Sequence, residues 1–151
     1  MRARSMKVVD MAVHEVESIT ADLTVKDCAL VMRRKHVGSL VVVDGQNVPV
    51  GIITDRDLAI EVLAQGLDPL TLTVGEVMTT PVAVAQEDEN VIDALARLRE
   101  RGVRRLPVVN AEGKLSGIVT SSNLLEELSM ELDSLVRAIK ASHTRETETR
   151  P

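Results

Sequence analysis

Two amphipathic helices are predicted by apolar residues that recur at intervals of three and four positions. The apolar face of the first is formed by Val25, Cys28, Ala29 and Met32, and that of the second by Val91, Ala94, Leu95 and Leu98. Each predicted helix is preceded by a residue that can cap it, with an acidic residue three positions later: Thr24 with Asp27, and Asn90 with Asp93.

Each helix is followed by two runs of branched apolar residues, which predict a pair of strands. The runs cover residues 40–43 and 50–53 in the first half, and 106–109 and 115–119 in the second. Polar turns at 44–47 and 110–113 join them. A short leading strand is predicted near 18–20 and near 82–85, and a second helix begins near Asp55 and near Ser121. Both halves therefore predict a β-α-β-β-α unit.

The two halves are copies of one another. When the sequence is shifted by 66 positions, 13 of the 40 residues from Asp22 to Glu61 are identical to their counterparts. Unrelated segments of average composition would share about three. Two copies are too few for a solenoid, so we expect them to pack against each other. Residues 65–69, which include Gly66 and Pro69, predict the linker between them.

A further amphipathic helix is predicted over residues 126–140. Its apolar positions are Leu128, Leu132, Leu135, Val136 and Ile139, a spacing that suits packing on the body of the protein or on a partner. The following segment, 141–151, is polar, and we expect it to be frayed.

Composition removes several classes of function. The 151-residue chain contains no Phe, Tyr or Trp, which excludes recognition of bases by aromatic stacking. Its formal charge of −5 argues against a protein that tracks DNA phosphates. The core must therefore be built from Val, Leu, Ile, Ala and Met.

Cysteine and terminal patterns predict a cytoplasmic protein. Cys28 is the only cysteine, so no internal disulfide can form, and we expect this residue to lie in the core. Residues 1–5 are basic but lead into no long apolar run, so we expect no signal peptide and no membrane contact. His14, His36 and His143 lack metal-ligand spacing, and we expect no metal site.

The segment Gly51-Ile-Ile-Thr-Asp-Arg-Asp57 marks a strand that ends where a helix begins. Backbone N–H groups at such a junction attract anions. The Thr54 hydroxyl can donate to a phosphate, and the Asp57 carboxylate can accept from both hydroxyls of a ribose. The same Thr-x-x-Asp pattern is also a capping box, which is the structural alternative. Asp55 and Asp57 are accompanied by no nucleophile or base-orienting residue, so we find no catalytic constellation.

The repeated motif resembles the tandem domains of the cystathionine-β-synthase (CBS) family. The resemblance covers residues 7–130 and rests on Gly-h-h-Thr-x-x-Asp/Asn (h, apolar) at 51–57 and 117–123. It includes Met-Thr-Thr-Pro at 78–81 and Arg-Arg-Leu-Pro-Val-Val at 104–109. It implies an α+β fold in which two motifs, 7–68 and 72–130, pack with pseudo-two-fold symmetry as a Bateman module. Residues 131–151 would form the C-terminal extension and tail.

The resemblance also implies two clefts, each combining the Thr-x-x-Asp/Asn motif of one copy with two strands of the other. The first would consist of Thr54, Arg56 and Asp57, faced by Pro81, Ala83, Val103, Arg104 and Arg105. The second would consist of Thr120, Ser122 and Asn123, faced by Glu15, Glu17, Val37, Gly38 and Ser39.

The two clefts differ in charge, which predicts one competent nucleotide site. Asp57 offers a charged ribose acceptor and Arg104 and Arg105 can pair with phosphate, whereas Asn123, Gly38 and Ser39 cannot. We therefore expect a weak, empty or differently filled second cleft. The two arginines have an alternative interpretation as a solvated pair at the start of a strand.

We accordingly expect a non-catalytic sensor of energy or ligand state that binds AMP, ADP or ATP and requires no cofactor. The alternatives are a binder of S-adenosylmethionine or an NAD-type ligand, and a structural module with vestigial clefts. An enzyme has no residue support. By resemblance the chain forms a homodimer and can act on a protein effector. The predicted dimer contacts are Leu58, Ile60 and Val62 in the first copy, and Leu124, Leu125 and Leu128 in the second.

Overall fold

The computed structural model describes residues 6–149 and contains two three-stranded sheets. The basic start at 1–5 and the last two residues of the tail lie outside the described residues. The first sheet consists of β1 (Ser18–Thr20), β2 (Ser39–Val43) and β3 (Pro49–Thr54), and the second of β4 (Ala85–Gln86), β5 (Arg105–Val109) and β6 (Leu115–Thr120). In each sheet the first strand runs parallel to the central strand and the third antiparallel to it.

Six α-helices and one π-helix surround these sheets within residues 6–149. They are α1 (Val8–Met11), α2 (Val25–Lys35), α3 (Asp55–Asp57), the π-helix Leu58–Leu63, α4 (Val74–Val77), α5 (Val91–Arg101) and α6 (Ser121–Thr149). The predicted β-α-β-β-α order is confirmed in both copies. The Thr24 side chain caps α2 by accepting from Asp27 N, and the Asn90 side chain caps α5 by accepting from Ile92 N.

The leading strand of the second copy lies later than its apolar run indicated. It comprises Ala85–Gln86 instead of residues 82–85, and Ala85 pairs with Val108 as Ile19 pairs with Val42. The repeat relation therefore locates this strand better than local composition does.

The segment that begins each copy packs into the core of the other. Val8 of α1 is fully buried among second-copy residues such as Leu106, and Val74 of α4 among first-copy residues such as Leu40. This reciprocal exchange joins the two copies through their apolar cores, which is the mutual packing expected of a two-copy repeat.

Helix α6 corrects the expectation of a frayed tail and decides against one of the two covering surfaces considered for it. It continues without interruption to Thr149, so the part of the tail that the structure describes is helical and not frayed. From Ser129 to residue 148 every described side chain is exposed, including Leu132 and Ile139. This half of the helix therefore does not pack on the body of its own chain.

Two of the predicted dimer contacts belong to the core of the chain. Val62 and Leu124 are buried, at 3% and 0% exposure, and Leu124 packs in the core cluster of the second copy. Ile60 and Leu125 are exposed and remain available to a partner.

Glu89, the last residue of the acidic run 87–89, is not a freely solvated carboxylate. Its carboxylate forms a two-pronged ion pair with Arg97, with N–O distances of 2.5 and 2.9 Å, and also accepts from Gln86 N. Arg97 further donates to the Val84 carbonyl, so the pair ties α5 to the loop that leads into β4.

Candidate functional site

The Thr54–Asp57 motif forms a reciprocal capping box where β3 passes into α3. Asp57 N donates to Thr54 Oγ1 at 3.1 Å, and Thr54 N donates to Asp57 Oδ2 at 2.9 Å. The structural alternative for this motif is therefore realised. The capping box leaves hydrogen-bonding capacity on both side chains, because the Thr54 hydroxyl can still donate and the Asp57 carboxylate retains free lone pairs.

Gly51 is explained by the close approach of the segment that opens the second copy. Ile52 and Thr79 exchange two backbone hydrogen bonds, of 3.2 and 2.8 Å. A Cβ at Gly51 would lie 2.6 Å from Met78 Sδ and 2.9 Å from the Thr79 carbonyl oxygen. The glycine thus allows the 78–81 segment to dock beside the capping box.

A cavity of about 700 Å³ opens next to this capping box. It is lined by all eight residues predicted for the first cleft: Thr54, Arg56, Asp57, Pro81, Ala83, Val103, Arg104 and Arg105. The first copy supplies the wall at the end of β3, and the second copy supplies the loop before β4 and the start of β5. The volume falls within the usual range of small-molecule pockets, roughly 300–1,000 Å³.

Seven further residues line the same cavity. They are Gly38, Ile52, Asp55, Thr79, Val82, Arg101 and Gly102. Arg101 is the most informative of them, because it adds a fourth guanidinium to the lining. It is the last residue of α5, and Gly102 ends that helix in the left-handed conformation with φ 63°. The cluster of three arginines within residues 101–105 was the sequence signal for it.

The electrostatic character of the cavity is positive in an acidic chain. Four arginines line it against two carboxylates, those of Asp55 and Asp57. Within residues 6–149, Arg56, Arg101 and Arg104 have no ion-pair partner. Guanidinium groups concentrated in a concave site favour an anionic ligand, above all one that carries phosphate.

Arg105 is held in place by the other copy. Its Nη1 donates to Ser39 Oγ, and both side chains are half-buried. Arg105 is therefore not the solvated pair member that the structural alternative described. Arg104, by contrast, is exposed.

Gly38, which was predicted for the second cleft, lines the first cavity. Its carbonyl accepts from Asp55 N there at 2.9 Å. A Cβ at this glycine would lie 3.0 Å from Asp55 Oδ2. The repeat counterpart of this bond joins Ser121 N to the Arg104 carbonyl at 2.8 Å.

The polar groups of the second motif are satisfied within the motif. Asn123 Oδ1 accepts from both the backbone N and the hydroxyl of Thr120, at 3.2 and 2.8 Å, while Asn123 N donates to Thr120 Oγ1. The Thr120 hydroxyl proton is thus used internally, unlike that of Thr54. Ser122 lies on a different surface, in a shallow groove with Leu125 and Met130 along α6.

The facing wall predicted for the second cleft carries an internal ion pair. Lys35 Nζ lies 3.4 Å from Glu17 Oε1. These residues are the repeat counterparts of Arg101 and Ala83, which line the first cavity. Within residues 6–149, Arg101 has no ion-pair partner in the first cavity, whereas its counterpart Lys35 is paired with Glu17. Glu15 and Gly38 are exposed, and Val37 and Ser39 are half-buried.

The described histidines and the cysteine make no metal cluster. Among residues 6–149, no group of three or more His, Cys, Asp or Glu side chains could hold a metal ion. His14 is within hydrogen-bonding distance of the Val9 and Ser116 carbonyls, at 3.1 and 3.3 Å. Burial raises the pKa of the Cys28 thiol to about 11, as befits a core residue. No helix in the described part of the chain is long and apolar enough to cross a membrane.

The fold and the site define a tandem module of two β-α-β-β-α motifs that share a cleft. The family model described as "CBS domain" matches residues 8–64 and 74–130, which is most of the chain. The chain therefore belongs to the CBS domain family, as a CBS domain pair, a regulatory type of module.

Curated relatives match most of this chain. An uncharacterized protein of Methanopyrus kandleri, MK0525, is 38% identical over 123 residues, which cover 82% of this chain and 63% of the relative. This chain therefore spans less than two thirds of the length of that relative. The CBS domain-containing protein YhcV of Bacillus subtilis is 34% identical over 117 residues, covering 78% of this chain and 81% of the relative.

Solved structures agree in fold. The CBS domain pair of protein MJ0100, in complex with 5′-methylthioadenosine and S-adenosyl-L-methionine, superposes with a TM-score of 0.73 at 27% identity, covering 83% of this chain and 98% of that one. Hypoxic Response Protein I, with two coordinated zinc ions, superposes with a TM-score of 0.72 at 30% identity, covering 80% and 98%. The first neighbour shows that a CBS domain pair of this fold can hold adenosine derivatives.

Proposed function

We propose that this chain is a non-catalytic sensor that binds one adenosine nucleotide, AMP, ADP or ATP, in the first cavity. The observation that carries the proposal is the convergence of four arginines on a cavity that also contains the Thr54–Asp57 capping box. Hydrogen bonds to charged groups contribute about 1.5–3 kcal/mol each, so two or three phosphate contacts would dominate the affinity.

The remaining parts of the nucleotide have matching surfaces. Asp57 keeps a carboxylate oxygen that makes no hydrogen bond in the capping box and can accept from ribose hydroxyls. Ala83 and Val103 give aliphatic walls for an adenine ring, and Val103 is 38% exposed at the cavity surface. Because the chain has no aromatic residue, stacking on side-chain rings adds nothing and the affinity must come from ribose and phosphate.

S-Adenosylmethionine is a second candidate because the MJ0100 pair binds it together with 5′-methylthioadenosine. The sulfonium group of that ligand is cationic, and its amino-acid part has no phosphate. Four guanidinium groups against two carboxylates favour phosphate over a sulfonium, and this charge balance is why the nucleotide is preferred here.

The second cleft is proposed to be weak or empty toward phosphorylated ligands. Its Thr120 hydroxyl is engaged by Asn123, and its Lys35 is engaged by Glu17. A ligand would have to break both interactions before gaining its own. We expect ligand binding in the first cavity to bridge the two copies and to change their relative orientation, which a protein effector would detect.

Calorimetry tests the proposal directly. Titration of the full chain with AMP, ADP and ATP is expected to show one binding event per chain, and adenosine is expected to bind at least tenfold more weakly than AMP. Arg104→Ala should reduce the ratio of AMP to adenosine affinity, because it removes a cation and leaves the adenine wall intact. The matched control is Arg137→Ala, an exposed arginine on α6 outside the cavity.

Three results would contradict the proposal. Binding of S-adenosylmethionine but not of any nucleotide would identify the second candidate. Two equal sites per chain would refute the asymmetry between the clefts. No binding by any of these ligands at millimolar concentration would favour a structural module with vestigial clefts. The cytoplasmic location expected from the single cysteine and the homodimer implied by the family resemblance remain predictions.

A further inference from the structure

Arg101 lines the first cavity at a position where the two copies of the repeat differ in charge pairing. In the first copy, Lys35 Nζ lies 3.4 Å from Glu17 Oε1. The repeat counterparts of these two residues are Arg101 and Ala83, which both line the first cavity. The alanine methyl group cannot pair with a guanidinium group, and within residues 6–149 Arg101 forms no ion pair. The Arg101 guanidinium is therefore available to a ligand.

The two carboxylates of the cavity are engaged by backbone groups. Asp57 Oδ2 accepts from Thr54 N at 2.9 Å, and Asp55 Oδ1 accepts from Arg56 N at 2.8 Å. Among the described residues, no ion pair joins either carboxylate to an arginine of the cavity. The four guanidinium groups therefore keep most of their capacity to bind an anion.

Four guanidinium groups are more than one phosphate group can accommodate. A phosphate monoester presents three strong acceptor oxygens, and a guanidinium group in its bidentate mode spans two of them. Three oxygens form three such pairs, so a single phosphate can take at most three guanidinium groups in this way. Because four line the cavity, a bidentate partner for the fourth requires a second phosphate group.

Arg101 is the guanidinium group that stands apart from the residues proposed to hold the nucleoside. Arg56 directly precedes Asp57, the proposed ribose acceptor, and Arg104 directly follows Val103, a proposed adenine wall. Arg101 belongs to a different element, because it is the last residue of α5. It is therefore the cation best suited to a phosphate beyond the first.

We propose that the cavity selects a nucleoside 5′-polyphosphate, ADP or ATP, over a monophosphate, and that Arg101 is the residue that determines this specificity. The inference rests on the proposed function, since it requires an adenosine nucleotide in the cavity. The cavity volume of about 700 Å³ lies in the upper part of the usual range of roughly 300–1,000 Å³, which leaves room for the longer phosphate chain. Such a sensor would respond to ADP and ATP at concentrations at which AMP leaves it empty.

Calorimetry of the full chain with AMP, ADP and ATP tests the selectivity. EDTA is included so that divalent cations do not occupy the phosphate oxygens. We expect ADP and ATP to bind about tenfold or more tightly than AMP, because they add contacts between charged groups. In Arg101→Ala this preference should be lost, whereas the affinity for AMP should stay within about twofold of that of the unchanged protein.

Two further variants separate a specific contact from a general loss of charge. Arg99→Ala removes an exposed arginine from the same helix, and Arg99 is not among the described residues that line the cavity. This control should keep the full preference for ADP and ATP. Arg101→Lys retains the charge without the planar fork and should keep part of the preference. Loss of the preference in Arg99→Ala as well would overturn the assignment of Arg101.

The possible results keep this inference distinct from the proposed function. Equal affinities for AMP and ATP would overturn the selectivity and leave the nucleotide sensor intact. A preference for ATP that survives in Arg101→Ala would overturn the role of this residue. Absence of binding by all three nucleotides would contradict the sensor itself, and the selectivity would fall with it.

Discussion

Ser39 and Arg105 occupy equivalent positions of the two copies, 66 residues apart, and their side chains share a hydrogen bond across the pseudo-two-fold axis. The bond depends on the difference between the copies, since two arginines could not make it: a guanidinium group only donates. It draws the Arg105 guanidinium toward the first copy at the wall of the cavity. Arg105 thus lines the cavity, and Ser39 positions the Arg105 side chain.

A double-mutant cycle measures this relationship. Ser39→Ala, Arg105→Ala and the double variant are unfolded in urea, and we expect a coupling free energy of about 1 kcal/mol, the usual size for contacting polar residues. The matched cycle uses Arg104→Ala in place of Arg105→Ala and should give a coupling near zero. Arg104 is exposed and, within residues 6–149, makes no side-chain hydrogen bond to Ser39. Equal coupling in both cycles would show that the contact does not stabilise the fold.

Asp57→Asn tests the ribose acceptor without removing the cap. Asparagine retains an oxygen that can accept from Thr54 N, as Asn123 does from Thr120 N in the second copy. Asparagine carries no charge, so its hydrogen bonds to ribose would be neutral ones. A neutral hydrogen bond contributes about 0.5–1.5 kcal/mol, against about 1.5–3 kcal/mol for one to a charged group. We therefore expect AMP to bind roughly tenfold more weakly in calorimetry, with thermal stability almost unchanged. Asn123→Ala serves as the control, and an equal loss of affinity there would contradict the assignment.

The second cleft should gain affinity when its own interactions are removed. Glu17→Ala frees Lys35, and Asn123→Asp supplies a charged acceptor, so the double variant approaches the chemistry of the first cavity. We expect a second, weaker binding event to appear in AMP titrations of this variant. Glu112→Ala combined with Asn123→Asp is the matched control, because it removes an exposed glutamate from the turn before β6 and leaves the Glu17–Lys35 pair intact. If the stoichiometry stays at one, the internal ion pair is not what closes the second cleft.

Gly51→Ala should destabilise the fold through a steric clash. The added methyl group would meet the Thr79 carbonyl oxygen at 2.9 Å and Met78 Sδ at 2.6 Å, and backbone cannot give way as a flexible side chain can. Overpacking of this kind costs about 1–3 kcal/mol, and denaturation midpoints should fall accordingly. Gly45→Ala is the matched control, because nothing lies within 4 Å of the Cβ it would add. A stability loss of the same size at Gly45 would show that the close approach at Gly51 is not the cause.

The resemblance of the repeated motif to CBS domain tandems accounts for most of the site. It assigned the Thr-x-x-Asp motif of one copy and two strands of the other to one cleft, and all eight residues so assigned line the cavity. It assigned Gly38 to the second cleft, whereas this residue lines the first cavity, where its carbonyl accepts from Asp55 N. The sequence contains no signal for the π-helix Leu58–Leu63, since the equivalent segment of the second copy is ordinary α-helix.

The C-terminal helix shows a different limit of sequence reasoning. Residues 141–148 are polar, which favoured a frayed tail, yet they contain neither Gly nor Pro to end a helix. Helix α6 therefore continues to Thr149. The spacing that predicted an amphipathic helix was correct, but it could not distinguish the body of the chain from a partner as the covering surface.

Cys28 should make stability fall at alkaline pH. Burial raises the pKa of its thiol to about 11, above the ordinary value of 9.0 that applies in the unfolded chain. The neutral thiol is therefore favoured in the folded state, and its contribution is complete below about pH 9 and is lost as pH rises toward 11. The free energy of unfolding, measured in urea between pH 8 and pH 11, should decline over this window. The chain has no tyrosine to titrate there.

Cys28→Ala is the control for the predicted loss of stability at alkaline pH. The variant should be less stable at pH 8 because it leaves a small void, but its free energy of unfolding should decline less steeply toward pH 11. In the native chain at pH 8, a thiol reagent should react far more slowly than in urea, since the thiolate is the reacting form and the sulfur is buried. Rapid labelling of the folded chain, or identical slopes for both chains, would contradict burial of this thiol.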